Sequence, residues 1–411
     1  MKVIILGAGG RGRNYTRYCK QYGVDIVAVA DPNTKKLQKL GKDFEISEDK
    51  LYSDWKDILE KEKFADAVIN ATPDKVHYPS TMAALEKGYH VLLEKPMSDK
   101  EQECIDMIEK AEEENKILMV CHVLRYAPFF EKLKEIVDSQ RIGEIVNMEM
   151  TENCAYWHFV HSYVRGVFRN ETISSPFILA KSCHDLDLIG YITGKKCISV
   201  MSEGSLKYYK KENAPEGAPA FCLAGCPHEK TCPYFAPRLY LKQITQVGWP
   251  TETISADTSF AARYEALKKG PYGRCVYHCD NDVNDHQSTI FTMEDDTIVS
   301  FNMTGFSSEN TRTLRIFGTK GDIRGHLELG ELEIYDFLTQ EKETIKVDYK
   351  TIISSHGGGD ARLVKAFIDA VTSGSDGSDL KTSARLSLQS HLMAFAAEKS
   401  RKEGKRIYLE V

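Results

Sequence analysis

The chain lacks any apolar run approaching the ~20 residues that span a bilayer. It also lacks a charged-then-apolar leader ending in a small-residue cleavage site, because Met1 runs within two residues into "VIILGAGG". The expectation is a cytoplasmic protein with no membrane partner. A basic stripe is missing too: 54 Lys and Arg face 60 Asp and Glu, a net charge of -6 that argues against nucleic acid as a partner. There is no internal repeat and no low-complexity tract. Tight CxxC pairs are absent, and the 11 cysteines, an odd number without an export signal, read as reduced thiols rather than a disulfide framework.

What is present fits an ordinary soluble chain, 42% hydrophobic and 28% charged, whose 411 residues exceed one ordinary core and imply two domains. Up to about residue 124, short apolar runs ("VIIL", "DIVAVAD", "ADAVINATP", "HVLLEKP", "KILMVCHV") alternate with amphipathic stretches. That alternation predicts βαβ units and a parallel sheet. In the stretch from Ser98 to Asn115, Ser98 reads as a helix cap, with Glu101 three residues on and apolar residues at Ile105, Ile108 and Ala111. From 125 to 411 the pattern changes. "EIVNMEMTEN", "HQSTIFTMEDDTIVSFNMTGF", "TRTLRIFGT" and "LELGELEIYDFLT" predict a large, mostly antiparallel open sheet. Helical periods return at 361–373 and 383–403, and "RIYLEV" can close the chain as a strand. Residues of about 203–280, rich in Pro, Gly, Cys and Tyr, read as an insertion with little regular structure. The fold class is thus α/β: an N-terminal Rossmann domain followed by a C-terminal α+β domain.

Two motifs in the first part carry chemistry. Gly7-Ala8-Gly9-Gly10-Arg11-Gly12 follows a strand and opens a helix, so its backbone N–H groups can approach a pyrophosphate. Asp31 ends the second strand 19 residues later, where a carboxylate would accept hydrogen bonds from an adenosine ribose. Its charge would repel a 2′-phosphate, which favours NAD over NADP, although Arg11 and Lys35 lie close in sequence. Glu94-Lys95-Pro96 sits at the end of the fourth predicted strand, and carboxyl ends of parallel strands face the ligand crevice. A cis Lys95–Pro96 peptide would aim the lysine into it.

GAGGRG, Asp31, "NATPD", "EKP" and a later "LAKSCHDLD" (179–187) together make the chain resemble the glucose–fructose oxidoreductase, inositol dehydrogenase and rhizopine catabolism (Gfo/Idh/MocA) family over almost its whole length. The resemblance implies NAD(P)-dependent oxidation or reduction of a sugar or cyclitol carbon. It also implies a homodimer or homotetramer formed through the open sheet. Lys95 would contact the reacting hydroxyl and His184 would be the acid/base. Nicotinamide would reach the interdomain cleft near Thr72, Pro73 and Glu94. The chemistry suits these residues, since hydride leaves a carbinol carbon only as the hydroxyl proton is removed, a task for an imidazole. An ammonium stabilises the developing alkoxide. Asp187, three residues on, shares a helical face with His184 and could orient it, with Asp185 in support. Many relatives place an aspartate four residues before the histidine; here that position is Ala180, so either the aspartate is dispensable or Lys181, which follows, supplies a different polar contact. The resemblance leaves two alternative readings of this chain: an NAD-dependent glycosidase working through transient sugar oxidation, and a non-catalytic nucleotide or sugar sensor.

The insertion holds Cys222, Cys226 and Cys232, and Cys279 follows with Cys275 as an alternative. Four thiolates could hold a structural zinc, or the thiols could simply pack. "HSYVRG" (161–166), Asp285-His286 and "HGGGD" (356–360) could line a sugar cleft, with Tyr163, Arg165 and His286 as substrate contacts. Tyr156 and Trp157 could stack on a sugar face or pack in the core.

Overall fold

A computed structural model describes residues 1–244, 248–348 and 355–409. Its first sheet contains β1 (Lys2–Leu6), β2 (Asp25–Ala30), β3 (Leu51–Tyr52), β4 (Ala67–Asn70), β5 (His90–Leu93) and β6 (Leu118–Val120), in the order β3-β2-β1-β4-β5-β6. Every pairing is parallel. Helices cover both faces, which is why these strands are near-continuous apolar runs: all four residues of β4 are buried. Strand order reverses between β1 and β4, so their carboxyl ends open a crevice. β3, two residues long, is too short to show a period in the sequence.

Ser98 is not the helix cap expected of it. The helix is Glu101–Glu113, and Ser98 instead donates to the Glu103 side chain at 2.5 Å while accepting from the Lys100 N–H at 3.2 Å. The capping partner is thus displaced by two residues, because Lys100 rather than Ser98 occupies the extended position before the first turn.

The second sheet contains β7 (Ile145–Ala155), β8 (Cys197–Ser205), β9 (His286–Met293), β10 (Ile298–Ser307), β11 (Thr311–Gly318), β12 (Gly321–His326), β13 (Glu331–Asp336), β14 (Lys342–Lys346) and β15 (Ile407–Tyr408). Its order is β14-β13-β12-β11-β7-β10-β9-β8-β15, antiparallel except for β7 against β10. One face buries Met148, Met150, Phe291, Phe301 and Met303 beneath the helices Cys183–Thr193 and Ala384–Glu403. The other face carries alternate residues such as Ser288, Ile290 and Asn302 in the open, as the two-residue strand period requires. The helix Ala384–Glu403 touches both sheets: it packs on β8 and on the helix Glu101–Glu113, and the Val120 N–H of β6 donates to Thr382 O just before it.

The insertion has only short helices, among them Thr251–Ile254 and Phe260–Lys269. Buried arginines supply what regular structure does not. Arg165 donates to Arg274 O and Tyr234 O, both at 2.8 Å, and Arg263 donates to Tyr240 O and to Ile244 O. No helix among the described residues is long and apolar enough to cross a membrane.

Candidate active site

The glycine loop is shaped by close approach at two positions and by openness at two others. At Gly7, φ is +98°, and a Cβ would sit 2.3 Å from Ala71 O; at Gly12 a Cβ would sit 1.8 Å from Gly7 O. A side chain at either would push the first helix off the sheet. At Gly9 and Gly10 a Cβ would meet nothing within 4 Å. The helix Gly10–Gln21 starts there without a side-chain cap, so its first N–H groups face open space, as a pyrophosphate-binding turn requires. Asp31 accepts from the Ala8 N–H at 2.7 Å and the Asn33 N–H at 2.8 Å, which fixes its carboxylate at the rim of the loop. The cradle fits a dinucleotide.

Arg11 turns inward from that rim. It donates to Glu94, to Tyr15 and to Asp360 of the "HGGGD" segment, each at 2.5 Å. Burial pushes the Glu94 carboxyl up, but the Arg11 charge and the Tyr15 hydroxyl more than reverse it and leave it below the ordinary range. Arg11 is therefore committed to Glu94 at the end of β5 and to Asp360 at the start of the helix Gly359–Ser373, and is not placed to receive a 2′-phosphate.

At the ends of β4 and β5 the walls are tied together. The Thr72 hydroxyl donates to Asn70 Oδ1 at 2.7 Å, and Pro73 leads into the helix Asp74–Glu86. His77 on that helix touches Pro96 O at 2.7 Å and Thr72 O at 2.9 Å, so one imidazole spans both loops. The Lys95–Pro96 peptide is cis, and the lysine Nζ donates to Ala180 O at 2.8 Å. A backbone carbonyl thus meets the ammonium at the position where the resemblance leads one to look for an aspartate.

His184 opens the helix Cys183–Thr193, is 4% exposed, and meets His122 edge-to-face with ring centres 5.7 Å apart. Burial, with Arg125 and Lys95, holds His122 well below its ordinary value and therefore neutral. The supporting aspartates act differently from expectation. Asp187 takes Arg125 in two hydrogen bonds of 2.7 Å, because that guanidinium rises beneath the helix from the segment after β6. Asp185 is held by Arg312 at 2.7 Å, and Arg312 also bridges to Glu152, which meets the Lys181 ammonium at 3.3 Å. Burial raises the Asp185 carboxyl while Arg312 opposes the rise. Lys181 thus closes an alternating row of charges on the floor of the crevice.

Three expected substrate contacts fall elsewhere. Arg165 is fully buried within the insertion as its brace. His286 bonds Asp285 at 2.8 Å and shares the open face of β9 with Ser288 and Ile290, so the strand period turns it away from the crevice. Tyr163 packs on Phe159 and Phe177 in the core. The zinc expectation is also corrected. Cys222, Cys226, Cys232 and Cys275 line one small cavity with Arg165, yet among the described residues no three potential ligands sit close enough to share an ion. Two of the thiols have other partners: Cys222 accepts from Arg165 at 3.8 Å, and Cys279 turns to Cys275 O at 3.3 Å. His77, His122, Glu152, Arg312 and Asp360 are what sequence reasoning missed or placed loosely. Only "HGGGD" gave a signal, and it pointed to a sugar cleft rather than to Arg11.

A switch-point crevice with a glycine cradle and a lysine and histidine at its floor is the build of a two-domain, dinucleotide-binding oxidoreductase. Family comparison is more specific. The family's N-terminal unit, described as an NAD-binding Rossmann fold, matches residues 1–122, and its C-terminal alpha/beta domain matches residues 134–411. The chain belongs to the Gfo/Idh/MocA oxidoreductase family. It is 24% identical to YteT of Bacillus subtilis, a protein named only provisionally as an oxidoreductase, over 85% of this chain and 82% of that one. It is 26% identical to the D-glucoside 3-dehydrogenase of Escherichia coli, over 50% of this chain and 58% of that enzyme. Among solved structures, a levoglucosan dehydrogenase in complex with NADH and levoglucosan superposes with a TM-score of 0.73 at 16% identity, covering 99% of both chains.

Proposed function

We propose that this oxidoreductase transfers hydride between NAD(H) and a CH–OH or carbonyl carbon of a sugar, sugar derivative or cyclitol. The observation that carries the reading is the meeting of Lys95 with the segment of His184: the ammonium is anchored on Ala180 O, one turn before the imidazole. NAD would supply the hydride acceptor, held by the Gly9–Gly10 turn and the Asp31 carboxylate. His184 would take the proton of the reacting hydroxyl, and the Lys95 ammonium would stabilise the charge left on that oxygen. Neutral His122 supports this division of labour because it adds no second cation beside His184. Related proteins named as glucoside and inositol dehydrogenases agree with the substrate class. Asp31 and the inward turn of Arg11 favour NAD over NADP.

The test is a screen of sugars and cyclitols with NAD, followed at the NADH absorbance band, and repeated with Lys95→Ala. The expected loss in kcat is on the order of 10²–10⁴-fold, with NADH binding kept within a few-fold. Retained turnover in Lys95→Ala, or no uptake of NADH by the native protein, would overturn the reading.

A further inference from the structure

The insertion delivers a tryptophan to the side of the crevice. The chain has only three tryptophans, and two of them meet here: Trp157, just beyond β7, and Trp249 of the insertion, with ring centres 5.7 Å apart. Trp249 leaves 47% of its surface exposed although its neighbours are buried or half-buried. It is nonetheless pinned, edge-on to His158 at 4.8 Å and to His161 at 5.5 Å. His161 is fixed in turn by Thr253 at 3.0 Å and by stacking on Tyr272 at 4.6 Å. A half-open indole held by its neighbours is suited to a ligand with an apolar face.

The wall adjoins the catalytic floor. The His158 Nδ1 meets Asn310 Oδ1 at 3.0 Å, and burial together with the charges of Lys181 and Arg312 keeps the ring neutral. Lys181 follows Ala180, whose carbonyl holds Lys95. Glu152 of β7 meets that Lys181 ammonium at 3.3 Å, and the chain runs on from β7 directly into Trp157 and His158, which carry Trp249. A sugar ring presents C–H groups on its faces and hydroxyls at its edge. Indole faces with an amide and an ammonium at their border match that pattern.

We infer that Trp249 and Trp157 form a stacking subsite for a second ring of the substrate, beside the ring that reacts, so that the preferred substrate is a glycoside rather than a free monosaccharide. This rests on the sugar-oxidoreductase reading. Methyl glycosides of common hexoses, 6-deoxyhexoses and hexuronic acids are compared with the matching phenyl glycosides. For any pair that turns over, the phenyl glycoside should have a KM lower by about tenfold in the native protein. Trp249→Ala should bring the two KM values within about twofold, with kcat for the methyl glycoside unchanged, and Trp249→Phe should restore most of the difference. An unchanged KM ratio in Trp249→Ala, or an equal loss on both substrates, would overturn the subsite. If no pair turns over while a free sugar or cyclitol does, the glycoside preference fails; if no sugar, cyclitol or glycoside turns over, it is the oxidoreductase reading that fails. The same pairs are then titrated against the tryptophan emission of a Trp55→Phe chain. A saturable change with the phenyl glycosides that disappears in Trp249→Ala supports the subsite, and no such change with any pair rejects it.

Discussion

Asp31 shows how one residue serves structure and selectivity together. Its two oxygens hold the Ala8 and Asn33 N–H groups, and on the proposed reading its charge would face whatever the adenosine ribose carries. Asp31→Asn keeps an acceptor and removes the charge. The native protein is expected to bind NADH more than tenfold better than NADPH, and Asp31→Asn should shrink that preference by about tenfold. Fluorescence titration with both cofactors measures it, and an unchanged ratio would contradict the assignment. Asp31 was legible in the sequence because its place relative to the glycine loop is set by chain length. The partners of Asp187 and Asp185 were not, because Arg125 and Arg312 lie 62 and 127 residues away and only the packed fold brings them under the helix.

At the scale of elements, the helix Ala384–Glu403 ties the two sheets to the site. His391 on it donates from Nδ1 to Ser387 O at 2.9 Å and accepts the Met97 N–H at 2.9 Å, which steadies the backbone just after Lys95–Pro96. That acceptor role needs a neutral ring. Burial, helped by His122, pushes His391 down to about 3, and burial with Arg165 does the same to His161. Both folded values lie below the unfolded value of about 6.5. Their contribution to stability is therefore complete above about pH 6.5 and is lost as pH falls toward about 3. Each should lower stability across that window by on the order of 1 kcal/mol per pH unit. Urea unfolding at pH 7 and pH 5 should show the fall, and His391→Gln should flatten it by the share of one histidine. An equally steep fall in His391→Gln would refute the role. The helix itself was evident from its period; its contact with Met97 was not, since no local pattern marks a histidine for a loop 294 residues away.

At the scale of the whole molecule, the insertion stands on buried arginines where strands and helices are lacking. Arg165→Met should loosen it, so that limited proteolysis cuts within 203–280 while residues 1–122 stay protected and NADH still binds. Uniform destabilisation of the whole chain would instead mean that the insertion is part of the common core. The open face of the second sheet, where Ile290 is 45% and Ile298 39% exposed, is the surface we propose for pairing copies of the chain. Light scattering should give a dimer or tetramer, and Ile290→Lys should shift it toward monomer. A monomeric native protein would reject that assembly.

The sequence by itself determined the elements and the cofactor cradle, because strand and helix periods, the spacing of Gly7, Gly9, Gly10 and Gly12, and the position of Asp31 are local properties of a chain. It also carried Lys95 and His184 as candidates. Tertiary structure decided the rest. It set Lys95 on the carbonyl of Ala180, assigned Asp185 and Asp187 to arginines, buried Arg165 and Tyr163, turned His286 outward, and brought Trp249 to Trp157. Those outcomes depend on which distant side chains compete for the same charge or the same apolar space, and that competition exists only once the chain has packed.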